Sequence, residues 1–251
     1  MSKVVLITGA SSGIGLHLAN HLTKKGYTVL GVSRHKPNDF NGDYYECDLS
    51  NITQIQGVVH KIQERYPIID VLVNCAGIGT GGALEEIPHE DTFSVFAVNV
   101  FGVMEFTSQL LPLLKQSVHA KIINIGSVAG EITIPFQVSY SMSKSSITRY
   151  SEGLRMELKP DGIDVMTILP GDTKTGFTNN RKIIVNPKGP YSKRVNRSIQ
   201  KMAKDEENGV SPMKVVSIIE RMINKKRMPV QKIVGLDYKV LVALSKVLPK
   251  R

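Results

Sequence analysis

Short, almost uninterrupted apolar runs alternate along the chain with longer segments whose apolar residues recur every three or four positions. The runs have the length and the valine and isoleucine content of strands, and the longer segments have the periodicity of helices. The predicted strands are 4–8, 28–32, 71–74, 121–125 and 164–169, and the predicted helices are 13–25, 51–65, 90–116 and 138–159. Because polar and apolar residues do not alternate within the runs, we expect strands that are covered on both faces.

This alternation predicts the fold class. It is typical of an α/β protein with a doubly wound, mostly parallel sheet of about seven strands flanked by helices, the Rossmann-type arrangement. The chain shows no repeat and no linker, so we expect residues 1–251 to form a single domain. Asparagine, proline, glycine and lysine make 176–208 the least regular stretch, which favours a substrate lid over a sheet element.

Composition narrows the class of protein. The hydrophobic fraction is 41% and the charged fraction 22%, as in soluble globular proteins, and no apolar run approaches the roughly 18 residues of a membrane span. Cys47 and Cys75 lack metal-ligand spacing, and the six histidines are scattered, so we expect no metal. The first apolar run begins too early to leave room for a signal peptide, which predicts a cytoplasmic protein.

Positive charge is concentrated in one part of the chain. The formal net charge is +10, and between Lys174 and Lys204 there is no acidic residue. This segment is either a solvated, mobile lid or a region that attracts an anionic group of the substrate. Its lysines and arginines are not interleaved with aromatic residues and belong to no recognised motif, so we expect no nucleic-acid partner.

A glycine-rich turn follows the first predicted strand and opens the first predicted helix. It reads Thr-Gly-Ala-Ser-Ser-Gly-Ile-Gly over residues 8–15. Glycines allow a tight turn and a close backbone approach to a pyrophosphate, and a helix N-terminus offers free N–H groups to that anion. The turn therefore predicts a dinucleotide site whose contacts are Gly9, Ser11, Ser12, Gly13, Ile14 and Gly15.

The end of the second predicted strand indicates which dinucleotide binds. An NAD site needs a carboxylate here to accept a hydrogen bond from the ribose 2′-hydroxyl, but this chain has Ser33 and Arg34. A carboxylate would repel a 2′-phosphate, whereas a hydroxyl and a guanidinium would bind it. We therefore predict NADP(H) as the cofactor.

Several further segments, taken in order, resemble the short-chain dehydrogenase/reductase family. The similar segments are Thr8-Gly9-x-x-x-Gly13-x-Gly15, Cys47-Asp48-Leu49, Asn74-Cys75-Ala76-Gly77, Val98-Asn99-Val100, Ser127 with Tyr140-x-x-x-Lys144, and Pro170-Gly171 with Thr173 and Thr175. The resemblance implies further cofactor contacts at Asp48, Leu49, Asn74, Ala76, Gly77, Tyr140, Lys144, Pro170, Gly171, Thr173 and Thr175. Cys75 departs from the family pattern, which has a second asparagine at this position.

The resemblance also implies four catalytic residues, namely Asn99, Ser127, Tyr140 and Lys144. Tyr140 and Lys144 stand four positions apart, so both project from one face of a helix. A nearby ammonium favours a phenolate, so we expect Lys144 to lower the pKa of Tyr140 and make it a general acid and base near neutral pH. In the family pattern Ser127 orients the substrate oxygen, Lys144 holds ribose hydroxyls, and Asn99 holds a water that extends the proton path.

The predicted function is NADPH-dependent reduction of a ketone or aldehyde carbonyl to an alcohol. The alternative is a non-catalytic NADP(H)-sensing regulatory protein on the same fold. We expect a small-molecule carbonyl or alcohol substrate that is apolar and of medium or large size, with Phe177, Ile183, Ile184, Val185 and Tyr191 at the mouth of its site.

Partners other than the substrate are predicted from helices. By family resemblance, we expect a homodimer or homotetramer paired through the helices at 90–116 and 138–159. The apolar helix pattern from Leu236 carries Lys239 and Lys246, and three packing surfaces remain open for it. These are the rest of its own fold, a sister subunit, and the surface of an anionic membrane.

Overall fold

A seven-stranded parallel sheet forms the centre of the molecule in the computed structural model, which describes residues 2–177 and 181–248. Along the sheet the strands follow the order β3-β2-β1-β4-β6-β7-β9, and two further strands, β5 and β8, pair separately. The strands are β1 Val4–Thr8, β2 Thr28–Ser33, β3 Asp43–Glu46, β4 Val71–Asn74, β5 Thr80–Gly81, β6 Lys121–Ile125, β7 Asp164–Pro170, β8 Lys182–Ile183 and β9 Gln231–Val234.

The sheet confirms the predicted fold class, and the five predicted strands are present. The sequence did not reveal its two outer strands, β3 and β9. Their residues are mostly half-buried, because each outer strand has a neighbour on one side only, and their sequences mix polar with apolar residues. The inner strands β4 and β6 are buried at every position, which explains their near-continuous apolar sequences.

Helices cover both faces of the sheet. The helices are α1 Gly13–Lys24, α2 Ile52–Arg65, α3 His89–Phe96, α4 Val103–Leu114, α5 Val138–Glu157, α6 Ser192–Glu207, α7 Pro212–Asn224 and α8 Leu236–Val247. On one face Leu18 of α1 and Ile219 of α7 lie in the core, and on the other Ile55, Phe106 and Leu154 anchor α2, α4 and α5. The two cores make the sheet a rigid frame for the side chains at its carboxyl edge.

Helices α3 and α4 form one continuous helix. A π-helical stretch, Ala97–Gly102, joins them, and such stretches are frequent at functional sites. By length and composition alone, His89–Leu114 is the one helix in the described residues that could cross a membrane. Nearly half of its most apolar window, 44%, is buried inside the fold, as in a helix of a protein core.

The predicted lid region is more regular than its composition suggested. It contains β8, which pairs with β5, and the 16-residue helix α6. The N–H of Lys182 donates to the Gly79 carbonyl at 3.0 Å and that of Ile184 to the Gly81 carbonyl at 2.8 Å, so the segment is clasped to the loop after β4. Residues 178–180 of the predicted lid lie outside the described residues.

A buried amide network joins the centre of the sheet to two helices. The Asn74 amide donates to Asn124 Oδ1 at 2.8 Å and to Thr107 Oγ1 of α4 at 3.1 Å. The Asn124 amide donates to Ser151 Oγ of α5 at 2.8 Å. All four residues are at most 2% exposed. Because α5 also carries Tyr140, this network fixes the helix of the candidate site against β4 and β6.

Asn124→Ala should therefore lower the free energy of unfolding by about 2–4 kcal/mol, since it leaves the Asn74 amide and the Ser151 hydroxyl with unmet hydrogen bonds in the core. Urea unfolding followed by circular dichroism measures the change. Asn196→Ala is the control, because Asn196 is exposed on α6 and its loss should cost no more than about 0.5 kcal/mol. Equal small losses in both variants would show that the network does not brace the sheet.

Candidate active site

One large cleft lies at the carboxyl ends of the central strands and has a volume of about 1130 Å³. It brings together nearly all of the residues predicted for the site, from six separate parts of the chain. Those lining it are Gly9, Ser11, Ser12, Gly13, Ile14, Gly15, Ser33, Arg34, Asp48, Leu49, Ala76, Gly77, Ser127, Tyr140, Lys144, Pro170, Gly171, Thr173 and Thr175. The two predicted residues that do not line it are Asn74 and Asn99.

The glycine-rich turn is shaped by close backbone contacts. Gly9 has φ of +67°, and a Cβ there would lie 2.7 Å from the backbone nitrogen of Ala76, so no other residue fits. A Cβ at Gly15 would lie 2.3 Å from the Gly9 carbonyl oxygen. Helix α1 begins after Ser12 with no side chain capping its N–H groups and no acidic residue in its first turn. These free donors at the cleft fit a pyrophosphate.

At the end of β2, the Ser33 hydroxyl is not free to bind a 2′-phosphate as the sequence predicted. Its hydroxyl contacts the Tyr44 hydroxyl, which in turn donates to the His35 carbonyl oxygen. Each hydroxyl has a single proton, and the Tyr44 proton is donated to the carbonyl. The Ser33 hydroxyl therefore donates its proton to Tyr44 and has none left to donate to a phosphate. Arg34 is exposed at the cleft and remains available. Tyr44 was missed because it belongs to β3, which the sequence pattern did not reveal.

Tyr140 lies on the first turn of α5, at the centre of the cleft. Burial raises the pKa of its phenol, and a hydrogen bond with the Ser127 hydroxyl opposes that rise. Ser127 follows β6 and begins a short helical turn, where its Oγ accepts a hydrogen bond from the Ala129 N–H at 3.1 Å. The Ser127 hydroxyl is therefore close enough to influence the phenol, which is protonated at neutral pH.

Lys144 does not act on Tyr140 in the way that the sequence suggested. Its Nζ lies 5.8 Å from the centre of the Tyr140 ring and donates to the Ile125 carbonyl oxygen at 2.9 Å. Burial lowers the pKa of Lys144 to about 8, and the shift of the Tyr140 pKa has no contribution from this lysine. The prediction of a phenol acidified by Lys144 is therefore wrong for the free protein, because the amine is turned towards a strand carbonyl.

Asn99 stands in the π-helical stretch, and its side chain holds the loop after β4. Its amide donates to the Ile78 carbonyl at 2.9 Å and to Ser143 Oγ at 3.0 Å, while its Oδ1 accepts from the Ile78 N–H at 2.8 Å. A Cβ at Gly77 would lie 3.3 Å from both Asn99 Oδ1 and Lys144 Nζ, so both polar atoms lie next to Gly77. One lone pair of Oδ1 is left for a water beside the lysine.

Asn74 and Cys75 have structural roles. The amide of Asn74 is used within the sheet network, so its predicted contact with a cofactor does not fit its place in the core. Burial raises the pKa of the Cys75 thiol to about 12, which keeps it protonated and unreactive at neutral pH. The change from asparagine at this position therefore adds no nucleophile.

The far end of the cleft contains groups that the sequence did not reveal. Arg181 and Glu206 form an ion pair at 2.5 Å, and Phe177 lies between Arg181 and Tyr140, with its ring centre 5.4 Å from the guanidinium carbon and 5.6 Å from the tyrosine ring. Nothing in the linear spacing of 177, 181 and 206 indicates that they meet. Of the five apolar residues predicted at the mouth, Phe177 alone lines the cleft.

Comparison with known proteins gives consistent matches. Residues 3–183 match the family profile described as short chain dehydrogenase. The chain is 38% identical over 248 residues to a 3-ketodihydrosphingosine reductase of Bacteroides thetaiotaomicron, covering 97% of this chain and 92% of the relative. A ketoacyl reductase of Nostoc is 32% identical, covering 72% and 67%. The crystal structure of a short-chain dehydrogenase from Streptomyces avermitilis gives a TM-score of 0.86 at 27% identity, covering 98% of this chain and 93% of that one.

Replacing Lys144 tests its burial. A lysine whose pKa falls from 10.5 to about 8 on folding lowers the free energy of unfolding. The whole of this penalty applies below pH 8, and it disappears as the pH rises to 10.5. Lys144→Met should therefore raise the free energy of unfolding at pH 7 by up to about 3 kcal/mol, with no gain near pH 10.5.

Urea unfolding of both proteins at a series of pH values gives the difference, and Lys159→Met, at an exposed position, is the control. A gain that does not depend on pH would contradict a buried, easily deprotonated amine.

Proposed function

The chain belongs to the short-chain dehydrogenase family, and from that premise we propose that it reduces a ketone or aldehyde carbonyl with NADPH. The observation that carries the proposal is the convergence of Ser127, Tyr140 and Lys144 on the cleft that the glycine-rich turn also lines. Proton-transfer groups thus share one cavity with an anion site at a helix N-terminus. A nucleotide sensor would need the anion site but not the proton-transfer groups.

When bound, the nicotinamide cofactor would supply the hydride. The N–H groups at the start of α1 and the close backbone of Gly9 would hold its pyrophosphate, and Asp48 and Leu49 line the part of the cleft next to Arg34. Pro170, Gly171, Thr173 and Thr175 line the cleft beyond β7, where they would border the nicotinamide. Lys144 would hold ribose hydroxyls.

Tyr140 is suited to donate a proton to a carbonyl oxygen. Since burial raises its pKa, the phenol is protonated at neutral pH, as a general acid in the reductive direction must be. The Ser127 hydroxyl, which lies close enough to the phenol to oppose the rise of its pKa, would orient and polarise the same oxygen. With a pKa of about 8, Lys144 gains and loses a proton near neutral pH, so it can restore the proton of Tyr140. A water on Asn99 would complete this path.

The relatives support a ketone as the substrate. The names of two of them, the 3-ketodihydrosphingosine reductase and the ketoacyl reductase, both describe reduction of a keto group. The substrate end of the cleft is also largely apolar, with Ile132, Ile134, Phe177 and Leu241 in its lining. We propose a ketone with an apolar body.

We further propose that the protein forms a homodimer or homotetramer. Helices α3 to α5 and the π-helical stretch expose large apolar side chains, which is unusual for a surface that faces only water. The exposed residues are Phe93, Phe101, Met104, Met142 and Met156.

Tyr140→Phe should reduce kcat by about 10²–10⁴-fold, because it removes the proton donor and leaves the packing of the ring unchanged. NADPH oxidation is followed by absorbance with a panel of apolar ketones and aldehydes. Cofactor affinity, measured separately by fluorescence titration, should change little. Equal turnover in the variant would remove Tyr140 from its role. Tight NADPH binding with no turnover of any carbonyl by the wild type would favour the sensor.

Arg34→Asp should reverse the cofactor preference. The guanidinium is the exposed cation at the end of β2, and losing its charge-assisted hydrogen bond to a 2′-phosphate should lower kcat/KM for NADPH by about 10–100-fold. The new carboxylate should raise kcat/KM for NADH, since it can accept from a ribose 2′-hydroxyl. Lys25→Asp, an equal change of charge at an exposed position at the end of α1, is the control. Preference of the wild type for NADH would refute the assignment.

A further inference from the structure

Three side chains that line the cleft beyond Tyr140 each have one polar atom with no hydrogen-bond partner within residues 2–177 and 181–248. These atoms are Gln137 Oε1, Arg181 Nε and Glu206 Oε2. Gln137 is 1% exposed and Arg181 is 7% exposed. A buried polar atom without a partner costs about 1–3 kcal/mol, and most such atoms in folded proteins have one. Three of them in one cavity leave hydrogen bonds for a partner from outside the described residues, such as a bound ligand.

The three side chains form a continuous row. Arg181 Nη2 donates to Glu206 Oε1 at 2.5 Å, and the Gln137 amide contacts the sulfur of Met202. Met202 and Glu206 are four residues apart on α6 and so share one face of that helix. The row therefore runs from Gln137 along α6 to Arg181, within a largely apolar part of the cleft.

The position of Gln137 is held by strained backbone. The preceding residue, Phe136, has φ of +62°, a left-handed conformation that is costly for an aromatic residue. The Gly82 N–H donates to the Phe136 carbonyl at 2.9 Å and fixes this turn. Strain of this kind persists where surrounding contacts enforce it and is common at ligand sites.

The charge of the row selects the kind of group that it can bind. The ion pair is neutral as a whole, so an added carboxylate would meet Glu206 and an added ammonium would meet Arg181. Two acceptor oxygens and one N–H donor remain. A hydroxyl is neutral, and it donates one hydrogen bond and accepts another, so it fits this set.

We propose that Gln137, Arg181 and Glu206 form a polar subsite that binds a hydroxyl group on an otherwise apolar carbonyl substrate. This inference rests on the proposed function, because it concerns the molecule that Tyr140 would reduce. The free atoms are enclosed in this structure, but the terminal torsions of Gln137 and Glu206 are soft, so their oxygens turn towards the cleft without movement of the backbone.

The subsite lies close enough to Tyr140 for one small molecule to reach both. The Arg181 charge lowers the pKa of the Tyr140 phenol and the Glu206 charge raises it, so both charged groups act on the reacting hydroxyl. Phe177 fills the space between the ion pair and the Tyr140 ring. The bound hydroxyl and the carbonyl therefore belong to one short stretch of the substrate.

The first test compares ketones of equal chain length. The series carries a hydroxyl one, two, three or four carbons from the carbonyl, and the parent ketone, the methyl ether, the amine and the carboxylate complete the set. We expect one hydroxyketone to exceed the parent in kcat/KM by about 10-fold or more, since a site built to bind a hydroxyl discriminates against analogues that lack it. A parent ketone as good as every hydroxyketone, or a preferred amine or carboxylate, would overturn the proposal.

The second test changes the subsite. The double variant Arg181→Met/Glu206→Met replaces the ion pair by apolar side chains of similar size, a change that folded proteins often tolerate. It should abolish the preference, so that the ratio of kcat/KM between hydroxyketone and parent falls to about 1. Glu207→Gln is the matched control, because this exposed carboxylate is the next residue on α6 and its loss should leave the ratio unchanged. A ratio that persists in the double variant would place hydroxyl recognition elsewhere.

A binding measurement separates failure of the subsite from failure of the proposed function. Calorimetry with NADP⁺ present compares the diols that correspond to the hydroxyketones with the simple alcohol of the parent. At least one diol should bind about 10-fold more tightly, and the double variant should lose the difference. If no carbonyl is reduced, the proposed function fails, while the diol affinities still decide the subsite. Equal affinities for diol and alcohol would reject it.

Discussion

The site depends on the burial of Lys144 without a carboxylate partner. Its ammonium is held by a single strand carbonyl, that of Ile125, and the lack of water lowers its pKa to about 8. The same lack of water raises the pKa of Tyr140. Desolvation therefore moves the two pKa values apart and makes the Lys144 ammonium a stronger acid than the Tyr140 phenol. Proton transfer from the ammonium to a Tyr140 phenolate is then favourable, which is the direction that reduction of a carbonyl would need.

Side-chain hydrogen bonds hold the scaffold around the buried amine, although Asn74 Oδ1 itself has no partner among the described residues. Asn99 holds both polar groups of the Ile78 backbone, and the Asn74 and Asn124 amides join the sheet to α4 and α5. Loops that carry a site are usually the mobile part of a fold. Here the Asn99 side chain adds to the backbone pairing of β5 with β8 and holds the loop after β4 beside the amine. The asparagines thus serve geometry first, and only one lone pair of Asn99 faces the proton path.

The sequence predicted the scaffold well and the distal part of the site poorly, for physical reasons. Inner strands such as β4 and β6 are covered on both faces, so their apolar runs are distinctive, whereas the outer strands β3 and β9 are half covered and their sequences are mixed. The candidate catalytic set could be proposed from the sequence because Ser127 follows β6 and Tyr140 and Lys144 lie on α5, in an order that resembles the family pattern. The Ser33 hydroxyl is used by Tyr44 on an unpredicted strand, and Arg181 meets Glu206 only through the path of the lid. Contacts between segments far apart in the chain leave no local signal.

The clasp between β5 and β8 has a consequence for the speed of turnover. Two backbone hydrogen bonds fasten the predicted lid to the loop after β4, and the ion pair of Lys182 with Asp91, at 2.6 Å, fastens it to α3. None of these bonds belongs to the seven-stranded sheet, so the lid can detach while the main frame stays intact. On the proposed function, release of the alcohol product would require the β5–β8 pairing to open. The rate of this opening would then limit the rate of turnover.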